Sequence, residues 1–166
     1  MEILYRAERA LTKLLEALVT LCFFFILSVT IVLVIMRYGF NTAIIGGNEA
    51  MNYLFIYTTS LGAAVSIGNG EHIKITYFTD KLSPRVQGAI RIIDYLLIAF
   101  INGIMIWYSL PWINSTGNFE SPVLRIPNWM VQISVPVGCG LVVLYCLSHI
   151  FLEVFNPNPP AVRGRL

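Results

Sequence analysis

Residues 71–74 read Glu-His-Ile-Lys and put an acid, an imidazole and an ammonium within four positions. Such a group can move a proton or, with further ligands at suitable spacing, hold a metal. The partners for either chemistry are missing. The chain has two histidines, His72 and His149, and no companion ligands at metal-binding spacing around His72. His72 is therefore read as a hydrogen-bonding residue at a membrane boundary rather than a catalytic one. Cys22, Cys139 and Cys146 form no CxxC pair and lie in apolar stretches, where a thiol behaves as a small hydrophobe. A haem held between helices needs histidines facing each other, and a quinone-linked thiol oxidase needs exposed cysteine pairs. A small proton-coupled exporter needs a carboxylate deep in its first helix, and Ala17–Met36 has none. These absences argue against an enzyme and against any cofactor.

The elements around those residues are hydrocarbon. Of 166 residues 57% are hydrophobic and 12% charged, about half the roughly 25% charge of a soluble domain. Four windows lack Asp, Glu, Lys and Arg: Ala17–Met36, Ala50–Asn69, Tyr95–Phe119 and Ile126–Leu152. Each is long enough for a helix to cross about 30 Å of hydrocarbon. The third becomes polar after Trp112, so its span ends near Ile113. The expected fold is an all-α membrane domain over residues 1–155 with four spans, at 15–38, 49–69, 86–113 and 126–152. Residues 156–166, rich in proline, are expected to form a disordered tail. The first apolar stretch is too long for a cleavable signal and no small-residue cleavage site follows it. Residues 1–16 place Ile3, Leu4, Ala7, Leu11, Leu14 and Leu15 on one stripe and Arg6, Arg9, Lys13 and Glu16 elsewhere, the pattern of an amphipathic helix in the membrane interface. The alternative is a first span that simply extends beyond the bilayer. The segment between spans two and three is too short and too charged to cross and is expected to lie along the surface.

Nine of the eleven Lys and Arg residues fall in the N-terminal segment, the stretch between spans two and three, and the tail. Only Arg37 and Arg125 fall on the other side, so both termini are expected to be cytoplasmic. Arg37 and Glu49 then face the outer interface. They could pair across the intervening loop, reach water independently, or meet another subunit. Asp94 is expected to pair with Arg91 one turn away. Gly62 lies in a run of small residues from Thr58 to Gly68 that permits close helix approach, and Pro136 with Gly138 and Gly140 predicts a kink in the last span.

The ordered set MRYGFN (36–41), Glu49 opening a helix, SLGAAVSIGNGEHIKI (60–75), LSP (82–84) and SPVLRIPNWMVQISVPVG (121–138) resembles the small membrane subunit of tripartite ATP-independent periplasmic (TRAP) transporters. The likeness covers roughly residues 30–140. It departs where a tryptophan is usual, near Ile56 and Tyr57, and where a basic residue is usual, at Ile67–Asn69. The resemblance implies a four-helix accessory subunit in the bacterial inner membrane, surrounded by membrane lipids and without nucleic acid. Its partners would be a large multi-helix membrane subunit, expected as a separate polypeptide, and a periplasmic substrate-binding protein. The large subunit would carry sodium and an organic acid, of sialic acid or C4-dicarboxylate type. Arg37, Glu49, Gly62, His72 and Pro136 are the structural or interface candidates. Asn41, Asn48, Asn114, Asn118, Glu120 and Arg125, in the outer loops, are the candidates for docking the binding protein. The rival reading is a membrane anchor or haem-bearing subunit of a respiratory complex.

Overall fold

The computed structural model describes residues 2–69 and 84–155. His72, the surface segment between the second and third spans, and the tail lie outside the described residues. Within them the chain is helical: α1 (Glu2–Gly39), α2 (Gly47–Gly68), α3 (Pro84–Thr116), the short α4 (Asn128–Gln132) and α5 (Ser134–Phe155). A single isolated bridge, Glu120 to Pro127, closes the loop before α4.

Among the described residues three stretches are long and apolar enough to cross a membrane: Glu8–Gly39, Val86–Thr116 and Asn128–Glu153. The chain is thus a helical membrane protein. α1 has 38 residues without proline, about 57 Å at 1.5 Å per residue, and nothing interrupts it between the amphipathic segment and the first apolar window. The two expected elements therefore form one continuous helix. α3 continues past Pro111 and Ile113 to Thr116, where the Thr116 hydroxyl donates to the Trp112 carbonyl at 2.9 Å.

The last span is interrupted at one residue, Ile133, whose backbone stays right-handed helical. α4 stops at Gln132 and α5 starts at Ser134, with Pro136 in its first turn. Proline has no N–H to offer the Gln132 carbonyl, so one ladder bond is missing there, while the Ile133 N–H to Trp129 and Val137 N–H to Ile133 bonds carry the helix across. Gly138 and Gly140 lie beyond the proline, inside regular helix.

The helices pack in the order α1, α2, α5, α3, which puts α5 between two neighbours. Its Val142, Tyr145 and Cys146 meet Leu15 of α1, Ala64 and Ile67 of α2, and Tyr95 of α3 in the buried core. Hydrocarbon outside is as apolar as the core, so this packing is sustained by close contact rather than by withdrawal from water. The tightest contact is at Gly138. A Cβ there would stand 2.9 Å from the Ser60 carbonyl oxygen, and the Ser60 hydroxyl donates to the Ser134 carbonyl at 2.6 Å. Gly62 has no atom within 4 Å of where a Cβ would lie, so it has no part in that crossing.

Candidate functional site

The loops 40–46 and 117–127 meet at one end of the helices. α1 ends as the Thr42 N–H reaches back six residues to the Met36 carbonyl at 3.1 Å. Just before this bond Asn41 takes a left-handed conformation, φ 53°, as residues that end helices often do. Asn41 thus caps α1. The chain then turns through Gly46, whose φ of 88° suits glycine and whose missing Cβ leaves room for the Leu124 side chain.

Glu49, in the first turn of α2, joins the two loops. Its Oε2 accepts from the Leu124 N–H at 2.8 Å and its Oε1 from the Tyr53 hydroxyl at 3.2 Å. It stands just outside the charge-free window that begins at Ala50. Desolvation works against its charge, but hydrogen bonds from Leu124, Ser121, Tyr53 and Val123 outweigh it and hold the carboxyl below its ordinary value. The helix N-terminus favours the same charge. A lowered pKa means that the clasp is complete above the ordinary carboxylate value and is lost as pH falls through the lowered one. Acidification, not alkalinisation, is therefore expected to speed hydrogen exchange at the Leu124 amide beyond its intrinsic pH dependence.

The loop held by Glu49 is closed on itself. The Ser121 N–H donates to the Ile126 carbonyl at 2.9 Å, the Ile126 N–H to the Ser121 hydroxyl oxygen at 3.1 Å, and the Asn128 N–H to the Phe119 carbonyl at 2.9 Å. Arg125 takes a left-handed conformation, φ 52°, at the turn of this loop, and its side chain is exposed. Beside the clasp a cavity of about 480 Å³ is lined by Ile44, Ile45, Asn48, Asn52, Pro122 and Val123 together with Glu49 itself.

Of the residues singled out in the sequence, Glu49 and Asn48 line this cavity, and Arg125 is in the loop that Glu49 clasps. Glu120 and Asn118 are exposed in the same loop, and Asn114 is exposed in the last turn of α3. Arg37 is exposed at the end of α1, and among the described residues it forms no ion pair with Glu49. Of the three possibilities, the pair across the loop is not formed: the Leu124 N–H and the Tyr53 hydroxyl bond the Glu49 carboxylate instead. Pro136 is half-buried at the start of α5.

The opposite end holds a second polar assembly that the sequence reading did not anticipate. Arg91 pairs not with Asp94, which is exposed, but with Glu153 of α5, through Nε at 3.1 Å and a second nitrogen at 2.5 Å. Glu8 of α1 and His149 of α5 approach to 3.6 Å with side chains only 11% and 16% exposed. The His149 ring stacks on Tyr95 at 5.1 Å between centroids. Asn69 donates to Glu16 at 2.6 Å, and Thr12 shares a hydrogen bond with the Tyr145 hydroxyl at 2.9 Å. No local spacing could have disclosed these pairs, because each joins residues more than fifty positions apart. Among the described residues no three His, Cys, Asp or Glu side chains gather as metal ligands.

Residues 26–156 match the family model of the DctQ component of tripartite ATP-independent periplasmic transporters. A protein of Haemophilus influenzae named as a TRAP transporter small permease is 26% identical over 124 residues, covering 74% of this chain and 76% of that protein. The sialic acid TRAP transporter small permease SiaQ of Vibrio cholerae is 26% identical over 69% of this chain and 66% of its own. The isethionate TRAP transporter permease DctMQ of Oleidesulfovibrio alaskensis is 26% identical over 64% of this chain, a match that spans 17% of that longer protein. With the family model matching most of its length, the chain belongs to the DctQ family, the small permease component of tripartite ATP-independent periplasmic transporters.

Proposed function

We propose that this chain braces the large membrane subunit of a sodium-coupled organic-acid transporter and helps to dock its periplasmic binding protein. The observation that carries the reading is where the charges lie. Glu8 and Glu16 lie in the first half of α1, Arg91 and Asp94 in the first three turns of α3 and Glu153 in the last turn of α5, all toward one end, and Arg37, Glu49, Glu120 and Arg125 lie at the other. Between them the helices offer no carboxylate or basic group with which to move an ion or an acid through the bilayer. A subunit built this way assists transport rather than performing it. Sodium and substrate are then handled by the large subunit. The names of two relatives, for sialic acid and isethionate, support an organic acid as the cargo.

Four spans accord with the same picture. α2 begins at the Glu49 clasp and finishes beside Glu16 and Tyr145, so it runs from one end to the other as α1, α3 and α5 do. Its polarity comes mostly from hydroxyls that are satisfied internally. Thr58 and Thr59 donate to the Leu54 and Phe55 carbonyls at 2.7 and 2.8 Å, Ser60 donates to Ser134, and the Tyr57 hydroxyl donates to the Met130 carbonyl. A helix whose hydroxyls are paired in this way can lie in hydrocarbon at modest cost. The basic-residue bias puts the termini in the cytoplasm and the clasped loops in the periplasm, in the bacterial inner membrane. Gly62, with open space around it, and the exposed apolar faces of α1 and α3 are then left for the large subunit and for lipid.

The docking role is tested by reversing charge at the loop tip. Glu120→Lys and Arg125→Glu are each expected to slow uptake several-fold while the chain still co-purifies with its large subunit, since both side chains are exposed and hold no helix in place. Uptake unchanged by both reversals would remove this loop from the docking surface.

A further inference from the structure

We infer that the cavity beside Glu49 is a socket for one basic side chain, a lysine or arginine, projecting from the binding protein that docks on this face. This rests on the docking reading above and adds the chemistry of one contact to it.

The cavity, about 480 Å³, is within the roughly 300–1,000 Å³ typical of binding sites and is apolar on its sides through Ile45, Pro122 and Val123. Asn48 and Asn52 contribute neutral amides, and Glu49 is the charge within it. Tyr53 and Leu124 donate to that carboxylate without neutralising it. Among the described residues no basic side chain lies within ion-pair distance of Glu49. A carboxylate held in place by neutral donors and left without a counter-charge is preorganised for a cation from outside.

The walls decide which cation. A small hard ion takes roughly six or more oxygen ligands at once, and one carboxylate with two side-chain amides between aliphatic walls falls short of that set. An organic anion is repelled by Glu49. A lysine or arginine side chain satisfies both parts, with its methylenes against Ile45, Pro122 and Val123 and its charged head at Glu49. The amide oxygens of Asn48 and Asn52 can accept its remaining N–H groups. Desolvation of the pair on docking is partial, which suits a contact that must form and release in each delivery cycle.

The test uses the whole transporter, this chain with its large subunit in lipid nanodiscs, titrated with the soluble binding protein at low and high salt. Glu49→Gln removes the charge but keeps an oxygen for the Leu124 N–H, and it should still co-purify with the large subunit. Its affinity for the binding protein is expected to fall about tenfold at low salt, and its salt dependence to be flatter than that of the wild type. Ile45 is 87% exposed, so substitution there leaves packing untouched. Ile45→Lys should weaken binding and Ile45→Glu strengthen it, and this pair carries the test if Glu49→Gln misfolds. Binding by Glu49→Gln equal to wild type at both salts, or equal affinities for the two Ile45 variants, would overturn the socket. Glu120→Lys or Arg125→Glu weakening the complex in that case would leave docking intact and reject the socket alone. No binding of the protein to the wild-type transporter would instead reject the docking reading, and the socket with it.

Discussion

Gly138→Ala is expected to destabilise the folded chain by about 1–3 kcal/mol, the usual cost of forcing a methyl into a filled contact. The added Cβ would meet the Ser60 hydroxyl and stand 2.9 Å from the Ser60 carbonyl oxygen and 3.2 Å from its carbon. A hydroxyl can rotate away, but a helix backbone cannot. α2 and α5 must therefore separate by a few tenths of an ångström. That strains the hydrogen bonds Ser60 to Ser134 and Tyr57 to Met130 and loosens contacts around Ala64, which is fully buried. Gly62→Ala and Gly140→Ala are the controls, since neither position has an atom within 4 Å of a new Cβ. Thermal unfolding in detergent micelles should show a lowered midpoint for Gly138→Ala alone. Equal midpoints for all three variants would mean that the α2–α5 crossing is looser than described. If Gly62→Ala keeps its midpoint but loses co-purification with the large subunit, the open face of α2 belongs to that partner.

His149→Leu is expected to cost more, on the order of 3 kcal/mol, because it removes one member of a sheltered polar pair and leaves the other. Glu8 Oε1 and His149 Nε2 are both withdrawn from solvent and face each other at 3.6 Å. Ser148 donates to the other Glu8 oxygen at 3.5 Å, too long to compensate the loss. Without the imidazole the Glu8 carboxylate is left among helices with little to bond to. The fold must keep it unpaired or release the first turns of α1, and both are unfavourable. Replacing the two residues together, Glu8→Leu with His149→Leu, should recover most of the loss, since an apolar pair of similar size needs no compensation. The measurement is a double-substitution cycle on the unfolding midpoint, together with protease accessibility of residues 2–16. Strictly additive losses would show that the two side chains do not interact.

These two predictions concern contacts that no reading of the chain in one dimension discloses, whereas its class and its element order were visible there. Charge-free windows of twenty residues or more settle that helices enter hydrocarbon, because the penalty for a charge in the bilayer is large and acts residue by residue. For the same reason Arg37, Glu49 and Glu153 mark helix ends in the sequence as they do in the fold, whereas Arg91 stands two turns inside α3. The family motifs, spread over residues 36–138, are equally a property of linear order. Boundaries were less legible. Nothing local marks where the amphipathic segment gives way to the first span, and in the structure they are one helix. Pro136 with Gly138 and Gly140 was expected to kink the last span; in the structure Ile133 alone interrupts the helix, just before the proline that removes one ladder bond.

The partners of each polar group were decided only when the helices came together. Glu49 had Arg37 as its nearest cation in sequence, yet it bonds the Leu124 N–H 75 positions away. Arg91 had Asp94 one turn along its own helix, yet it reaches Glu153 across to α5. Gly62 and Gly138 are the same residue type in similarly small-residue surroundings, and only the crossing of α2 and α5 makes one indispensable and the other free. Solvation is a property of each segment by itself, so residue order suffices to read it. Pairing depends on the distance between segments far apart in the chain, and that distance exists only after packing.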